Sequence, residues 1–302
     1  MAALITVDWG TTSFRAALHD AGGAILDHID SPDGILSVAA GGFEATLLRL
    51  VSVWDERAPS APIVMSGMIG SRQGWIEAPY LRCPADSAAI AAALVTVPSS
   101  SRRVFLVPGV DTIDARGVPD VMRGEETQVF GAIASGAPRS GLFVLPGTHS
   151  KWVTVDTGTI TAFKTYMTGE AYAALRQHTI LSRLMSEGSS TGQGFAEGVR
   201  HGAEAGGPGA LLTRIFANRT LGLFDRLPAG ELADYLSGLL IGAELADAAP
   251  AGATFTVIGS PALTERYATA ASLCGRMAQP GPPNCAARGA FAITQRSGLM
   301  TP

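Results

Sequence analysis

Two similar segments, one near the start of each half of the chain, limit the folds that this sequence can adopt. They are VDWGTTS at residues 7–13 and VLPGTHS at residues 144–150. Each lies between two apolar runs, which predicts a strand, a glycine turn and a return strand. One such hairpin alone is typical of an ordinary solvated turn. Two glycine tips, however, can hold a nucleotide's phosphates with backbone N–H groups and hydroxyls. The repeat therefore suggests two similar domains that face each other across a cleft.

Short apolar runs alternate with Ala- and Leu-rich stretches of helical spacing along the rest of the chain. The runs at residues 63–65, 104–107, 142–145 and 255–258 each end in a turn that contains Gly or Pro. This alternation indicates an α/β fold with ligand loops at the carboxyl ends of the strands. The small, polar segment 134–141 is typical of a domain boundary. We therefore expect one domain over residues 1–135 and a second over 140–302, with a last helix at about 285–294.

Charge and composition argue against several classes of partner. The 302 residues include 22 Lys and Arg and 26 Asp and Glu, a net charge of −4 with no basic run. Nucleic acid is therefore not expected as a partner, because its phosphates require a positive face. The most apolar stretch, residues 236–243, is too short to cross a bilayer, so no membrane partner is expected. Three separated cysteines without a Cys-x-x-Cys pair fit reduced thiols and a cytoplasmic location. A homo-oligomer is compatible with the sequence.

The common motifs for nucleotide binding, metalloproteolysis and ester hydrolysis are missing. The sequence has no Gly-x-x-x-x-Gly-Lys-Ser/Thr, no His-Glu-x-x-His and no Gly-x-Ser-x-Gly. The polar segments that remain fit phosphoryl transfer, which needs positioned phosphates, Mg²⁺ and a base on the attacking hydroxyl. Asp8, after the first strand, is a candidate for binding Mg²⁺ through its water shell. Alternatively, Asp8 caps the backbone N–H groups of its own turn.

A candidate base lies in MRGEETQ, residues 122–128. Glu125 and Glu126 follow Gly124 at a predicted helix start, where acidic residues are also ordinary partners of the helix dipole. A carboxylate that faces a cleft at such a position can act as a general base. Arg123 could bind an anionic group of a substrate or pair with a neighbouring Glu.

Other candidate cations lie on predicted loops. Arg72, in SGMIGSRQGW, is suited to a bidentate contact with a carboxylate, although a solvent-facing loop arginine is equally compatible with the sequence. In LPGTHSKW, Lys151 could reach a phosphate and His149 could contact substrate or nucleotide. Both are also typical surface residues.

Taken in order, several segments resemble the 2-dehydro-3-deoxygalactonokinase family of sugar kinases, within the actin/hexokinase/Hsp70 superfamily. They are VDWGTTSFRAAL, MSGMIGSRQGW, MRGEETQ, LPGTHSKW and VIGSPALTERY. The resemblance implies an α/β fold of two ribonuclease-H-like (actin-like ATPase) domains, with ATP and the sugar meeting in the cleft. It also implies transfer of the γ-phosphate of ATP, with Mg²⁺, to the terminal hydroxyl of 2-dehydro-3-deoxy-D-galactonate.

The resemblance further implies roles for particular residues. Glu125 or Glu126 would be the base, Glu125 being preferred, and Asp8 would position Mg²⁺. The sugar acid would be bound by Arg72, Arg123, Ser71 and Gln73. ATP would be bound by Gly10, Thr11, Thr12, Ser13, Gly147, Thr148, His149, Ser150, Lys151, Gly259 and Ser260.

Two departures from the superfamily pattern affect these roles. Related kinases carry Asp where this chain has Glu125 or Glu126, and Leu145 stands where the superfamily often has a further Asp. Mg²⁺ would then depend on Asp8 and on phosphate oxygens. The alternatives are a kinase of the same fold for another sugar acid, such as 2-dehydro-3-deoxygluconate, and a non-catalytic sugar- or nucleotide-binding protein.

Overall fold

The chain forms two compact units, as seen in a computed structural model that describes residues 2–186, 191–204, 206 and 208–300, with the backbone alone for Ala2 and Pro208. The first unit comprises Met1–Gly141, Val153–Phe163 and Gly281–Pro302, and the second comprises Leu142–Trp152 and Lys164–Pro280. In the described ranges, no helix has both the length and the hydropathy needed to cross a membrane.

The first unit is built on a twisted, mixed sheet that begins with the first predicted hairpin. Its strands are β1 (Ala2–Trp9), β2 (Phe14–Asp20), β3 (Ile25–Ser31), β4 (Ile63–Ser66), β7 (Val95–Val97) and β8 (Val104–Leu106), in the order β3-β2-β1-β4-β8-β7. The first three strands form an antiparallel meander, and β4 and β8 then add parallel to β1. Because β1 is flanked on both sides, its apolar run is buried almost throughout, as expected for a central strand.

A second, small sheet of the first unit has the order β10-β9-β5. Its strands are β5 (Tyr80–Arg82), β9 (Gly109–Ile113) and β10 (Pro119–Met122). Strand β10 runs into the helix that begins at Glu125, so this sheet connects the segment around Arg72 to that helix. The remaining short strand, β6 (Ala85–Asp86), pairs with residues 159–160 of a hairpin described below.

The helices of the first unit are α1 (Phe43–Val51), α2 (Ser87–Ala92), α3 (Glu125–Ala134) and α9 (Cys285–Ser297). Helices α3 and α9 pack backbone to backbone at two glycines. A Cβ atom on Gly131 would lie 1.8 Å from the Cys285 carbonyl oxygen, and one on Gly289 would lie 1.8 Å from that of Thr127. The last helix therefore belongs to the first unit. The sequence analysis had assigned it to the second domain, because chain order does not reveal this packing.

The second unit contains a parallel sheet and a layer of helices. Its parallel strands are β11 (Gly141–Leu145), β14 (Thr254–Val257) and β15 (Met277–Pro280), in the order β15-β14-β11. The hairpin of β12 (Ser150–Asp156) and β13 (Thr159–Tyr166) is divided, because residues 153–163 group with the first unit. The helices are α4 (Thr168–His178), α5 (Gln193–Ala203), α6 (Pro208–Leu223), α7 (Leu232–Ala248) and α8 (Pro261–Leu273).

The core of the second unit explains why α7 is apolar on nearly all sides. This helix is buried along most of its length, including Leu236, Leu239 and Leu245. Helix α5 approaches it closely, since a Cβ atom on Gly238 would lie 2.2 Å from the Phe195 carbonyl oxygen. Glu244 is a charged residue within this buried helix.

Candidate active site

The first predicted phosphate hairpin has a rigid tip. The Gly10 N–H donates to the Ser13 carbonyl at 2.8 Å, which closes the turn between β1 and β2. A neighbouring loop supports the tip from outside the hairpin: the Ile35 N–H donates to the Gly10 carbonyl at 3.0 Å. The side chains of Thr11 and Thr12 are exposed, and that of Ser13 is partly exposed. The hairpin thus presents hydroxyl groups on a fixed backbone.

Asp8 lies at the carboxyl end of β1, beside this tip. Its side chain is 18% exposed, and the Arg15 Nη1 atom lies 3.6 Å from its Oδ2 atom. Burial raises the pKa of the Asp8 carboxyl, while the positive charge of Arg15 opposes that rise. Gly67, at the end of the parallel strand β4, keeps the space beside the carboxylate open. Its φ is +92°, and a Cβ atom there would lie 3.1 Å from Asp8 Oδ1.

The start of α3 lies against the same glycine. Gly124 has a φ of +104°, and a Cβ atom on it would lie 3.1 Å from the Gly67 Cα atom. The parallel pairing of β1 with β4 places Ser66 opposite Asp8, so Gly67 follows directly at this edge of the sheet. Asp8, Gly67 and the amino terminus of α3 are therefore neighbours. This brings together two of the segments that the sequence analysis had selected.

The two glutamates at the start of α3 differ in their surroundings. Glu126 is fully buried, and its carboxylate accepts from the Gly124 N–H at 2.7 Å and from the Thr127 hydroxyl at 2.9 Å. Burial, with a smaller contribution from the charge of Glu125, raises the Glu126 pKa to about 7. Glu125 is partly exposed and accepts from the Arg123 N–H at 2.9 Å.

The two predicted substrate arginines also lie in contrasting environments. Arg123 is only 8% exposed. Its Nη2 donates to the Ala78 carbonyl at 2.7 Å, its guanidinium lies 4.3 Å from the centre of the Tyr80 ring, and its Nε and Nη1 have no hydrogen-bond partner in the structure. Arg123 therefore holds the loop that precedes β5 rather than pointing into solvent.

Arg72 is on the exposed part of that loop. Its side chain is 85% exposed, and its Nε donates to Glu77 Oε1 at 2.9 Å. Ser71 is partly exposed and Gln73 is exposed, and the Gln73 N–H donates to the Ser71 hydroxyl at 3.3 Å. Exposed ion pairs such as Arg72–Glu77 contribute little to stability, so a ligand carboxylate could exchange for Glu77 at small cost.

The second predicted phosphate hairpin is attached to the amino terminus of α4. The Glu170 N–H donates to the Thr148 carbonyl at 2.9 Å, and His149 Nε2 lies 2.6 Å from Glu170 Oε2. Gly147 borders this helix start so closely that a Cβ atom on Gly169 would lie 2.3 Å from the Gly147 carbonyl oxygen. The tip of the hairpin and the first turn of α4 thus form one surface.

Two predicted ATP ligands of this hairpin have buried side chains. The Ser150 hydroxyl donates to Glu244 Oε1 at 2.7 Å, and Lys151 Nζ donates to the Thr165 hydroxyl at 2.7 Å. These groups support the hairpin from behind, whereas Thr148 and His149 are exposed.

A pocket of about 250 Å³ borders this hairpin, within the second unit. It is lined by Pro146, Gly147, Thr168, Gly169, Tyr172, Ser237, Leu240, Ile241, Leu263, Arg266 and Tyr267, so that mainly apolar surface is combined with hydroxyl groups and one arginine. Gly259 and Ser260 lie next to it. A Cβ atom on Gly259 would lie 3.4 Å from the Pro146 Cδ atom, and the Ser260 hydroxyl caps α8.

Glu244, which connects the walls of this pocket, is not among the residues that the sequence singled out. Glu244 accepts hydrogen bonds from Ser150, Trp152, Thr168 and Tyr267. A glutamate inside the apolar run LSGLLIGAEL is itself a signal, because a buried charge requires partners. The partners could not be identified from the sequence, since they lie 23 to 94 residues away.

The donors at the first hairpin fit Mg²⁺ held through phosphates rather than a closed protein cage. Among the described residues, no three His, Cys, Asp or Glu side chains form a potential metal cluster. Asp8, with its raised pKa, is a carboxylate that a cation would stabilise. Mg²⁺ is usually bound by one or two carboxylates with waters and substrate phosphates.

Comparisons with known proteins agree along almost the whole chain. A sequence model of the 2-keto-3-deoxy-galactonokinase family matches residues 8–293. A protein of Rhizobium meliloti named as a probable 2-dehydro-3-deoxygalactonokinase is 39% identical over 274 residues, 87% of each chain. The 2-dehydro-3-deoxygalactonokinase of Escherichia coli is 35% identical over 274 residues, 90% of each chain.

Solved structures agree with these relatives. A crystal structure of a Sinorhizobium meliloti protein named for the same activity has a TM-score of 0.88 and 34% identity, and it covers 99% of both chains. The activator of 2-hydroxyisocaproyl-CoA dehydratase from Clostridium difficile, solved with ADPNP, has a TM-score of 0.52 at 11% identity, which shows a likeness of fold alone. The predicted α/β fold of the actin-like ATPase class is thus confirmed.

Proposed function

The chain belongs to the 2-keto-3-deoxy-galactonokinase family, and we propose from this premise how its residues perform the reaction. The protein is a carbohydrate kinase that uses ATP and phosphorylates 2-dehydro-3-deoxy-D-galactonate; the proposed position is the terminal hydroxyl. Gly67 lies against both Asp8 and Gly124, and this observation carries the proposed roles of the residues. It brings the Asp8 carboxylate and the start of α3 together.

Glu125 is the proposed general base. It is partly exposed at the start of α3, whereas Glu126 is fully buried and both of its oxygens accept hydrogen bonds. The backbone N–H of Arg123 orients the Glu125 carboxylate, which would accept the proton of the attacking hydroxyl. The buried Glu126 fixes the turn on which Glu125 is placed.

Asp8 is the proposed carboxylate for Mg²⁺, which it would bind through the water shell of the ion. When bound, Mg²⁺ supplies positive charge that stabilises the phosphate oxygens during transfer. The exposed hydroxyls of Thr11 and Thr12, with Ser13 and the Gly10 turn, would orient phosphates beside Asp8. Gly147, Thr148 and His149 are the proposed phosphate contacts of the second hairpin.

The pocket beside the second hairpin is the proposed site for the adenosine part of ATP. It has apolar walls from α7 and α8 and begins at Pro146 and Gly147. The contact of the pocket with the second hairpin supports this location. The phosphates and the nucleoside of one ATP molecule must lie within a few ångströms of each other. Ser150, Lys151, Gly259 and Ser260 would support the walls.

Arg72 is the proposed partner of the substrate carboxylate. It is the exposed arginine of the loop that Arg123 holds, and its present partner, Glu77, is also a carboxylate. Ser71 and Gln73 would contribute polar contacts on either side. Arg123 acts indirectly, because its guanidinium is buried against Ala78 and Tyr80.

Cys83, Cys274 and Cys285 are free thiols, which supports a cytoplasmic location.

The function is tested by measuring ADP release from Mg-ATP with a panel of acceptors: 2-dehydro-3-deoxygalactonate, 2-dehydro-3-deoxygluconate, galactonate, galactose and glucose. Turnover with the first acceptor well above that with the others is the expected result. Equal turnover with both keto-acids would leave the kinase activity and remove the galactonate specificity. Folded protein that releases no ADP with any acceptor would contradict the proposal.

A further inference from the structure

We propose that Glu244 is a positioning residue for the nucleotide: its buried carboxylate fixes the second hairpin, the start of α4 and helix α8 around the pocket. The inference deepens the proposed function, since it rests on ATP binding at that pocket. Glu244 is not itself among the residues that line the pocket. Any effect it has on a nucleotide must therefore act through the groups that it binds.

The carboxylate accepts hydrogen bonds from four residues on three elements. Oε1 accepts from the Ser150 hydroxyl at 2.7 Å, the Trp152 indole N–H at 2.7 Å and the Tyr267 hydroxyl at 2.9 Å. Oε2 accepts from the Thr168 hydroxyl and, at 3.0 Å, from the same Tyr267 hydroxyl. The donors belong to the second hairpin, the start of α4 and the middle of α8.

Two of these donors are themselves pocket walls. Thr168 and Tyr267 line the pocket on opposite elements, α4 and α8. Ser150 is the residue at which the tip of the hairpin returns to the sheet, directly after His149. The Glu244 carboxylate thus binds the tip of the second hairpin, where phosphates are proposed to lie, and two walls of the pocket proposed for the nucleoside.

The donor set requires an acceptor at Oε1, because one of its partners there is an indole N–H. The Trp152 indole N–H can only donate, so the oxygen that it contacts cannot be replaced by an N–H group. Glu244 is 3% exposed, and a charge so buried is tolerated because its hydrogen bonds replace those of water. Without the charge, the buried donors that now bind Glu244 would have to rearrange. The pocket walls that carry them would move with them.

The glutamine variant provides a near-isosteric test. In Glu244→Gln the amide oxygen can remain with Trp152 and Ser150, while the amide N–H₂ group replaces the oxygen that accepts from Thr168. The hydroxyls of Thr168 and Tyr267 can rotate to accept, so the variant can fold with an altered start of α4. The measurement is the dissociation constant for Mg-ADP by calorimetry without sugar acid, together with the KM for ATP and for the keto-acid.

We expect Glu244→Gln to raise the Mg-ADP dissociation constant and the KM for ATP by about tenfold, the scale of one lost charge-assisted hydrogen bond. The KM for the keto-acid should stay within about twofold of wild type. Trp152→Phe removes one donor that is outside the pocket and should raise the same two constants by a smaller factor, so the inference does not depend on a single variant.

Asp247→Asn is the matched control. It removes a carboxylate from the same helix, one turn further on, where Asp247 is exposed and bonded to Lys164 and Tyr166 instead of the pocket walls. Its nucleotide constants should equal those of wild type. A lower melting temperature of Glu244→Gln with an unchanged Mg-ADP dissociation constant would make Glu244 merely structural and overturn the inference.

The outcomes also separate the inference from the proposed function. Wild-type protein that binds Mg-ADP but does not phosphorylate the keto-acid would contradict the proposed function, while the binding comparison would still decide the role of Glu244. Wild-type protein that fails to bind Mg-ADP would overturn both.

Discussion

The carboxyl of Glu126 should make the unfolding free energy depend on pH, and Glu126→Gln should remove that dependence. Burial raises its pKa from an ordinary value of 4.5 to about 7. Between these two values the folded protein retains a proton that the unfolded chain has lost. The stability that this group contributes is therefore fully present below about pH 4.5 and is lost as the pH rises through about 7.

The magnitude follows from the two pKa values. At about 1.4 kcal/mol per pKa unit, the difference is worth roughly 3 kcal/mol in total. Over the practical range from pH 5 to pH 8, the linkage relation gives a loss of about 2–3 kcal/mol. Glutamine resembles the protonated carboxyl, because its oxygen can accept from the Gly124 N–H and its N–H₂ group can donate to a rotated Thr127 hydroxyl.

The assay is urea denaturation of both proteins at pH 5 and at pH 8. Wild type should lose about 2–3 kcal/mol more than Glu126→Gln between the two pH values. Glu265→Gln, a substitution of an exposed glutamate on α8, should follow wild type because it leaves Glu126 in place. Parallel losses in wild type and Glu126→Gln would refute the reasoning.

Three further outcomes are expected. Glu125→Gln should lower kcat by a factor of about 10² to 10⁴, with both KM values little changed, in steady-state ADP-release assays; retained kcat would exclude Glu125 as the base. Arg72→Ala should raise the KM for the keto-acid about tenfold at saturating ATP, and an unchanged KM would exclude that contact. Gly169→Ala should destabilise the protein by about 1–3 kcal/mol and weaken Mg-ADP binding, because its Cβ would lie 2.3 Å from the Gly147 carbonyl oxygen. Gly209→Ala, whose Cβ would lie within 4 Å of none of the described residues, should leave the thermal unfolding and Mg-ADP binding near those of wild type, and equal losses in both variants would contradict the steric argument.

The sequence predicted the features that depend on neighbours in the chain. Both hairpins could be identified because an apolar strand, a glycine turn and a return strand are contiguous. The helix start at Glu125 could be identified because glycine and two acidic residues precede an apolar face. The proximity of Asp8 to this helix could not be derived in the same way, since it depends on the parallel pairing of β1 with β4 and on the room left by Gly67.

Arg123 illustrates why roles of charged residues are harder to predict. An arginine between Met122 and Gly124 gives no local sign of the partners that bury it. The residues that cover it, Ala78 and Tyr80, lie before and at the start of β5, more than 40 positions away. The resemblance to a kinase family implied substrate contact, and in the structure one guanidinium nitrogen donates to a backbone carbonyl while the group lies over an aromatic ring. Direct substrate binding by Arg123 or by Arg72 stays a prediction.

Glu126 and Glu244 also show that partners close in the sequence are easier to predict than distant ones. Both are buried carboxylates, and burial raises the pKa of each. The hydrogen bonds to Glu126 come from Gly124 and Thr127, within two residues, so this carboxylate restrains one helical turn. Those to Glu244 come from residues 23 to 94 positions away, so the same chemistry restrains several elements at once. Neutralisation should therefore have local consequences at Glu126, measured as a change in the pH dependence of stability. At Glu244 it should instead move the surfaces around the pocket, because hydrogen bonds that join distant segments determine where those segments lie.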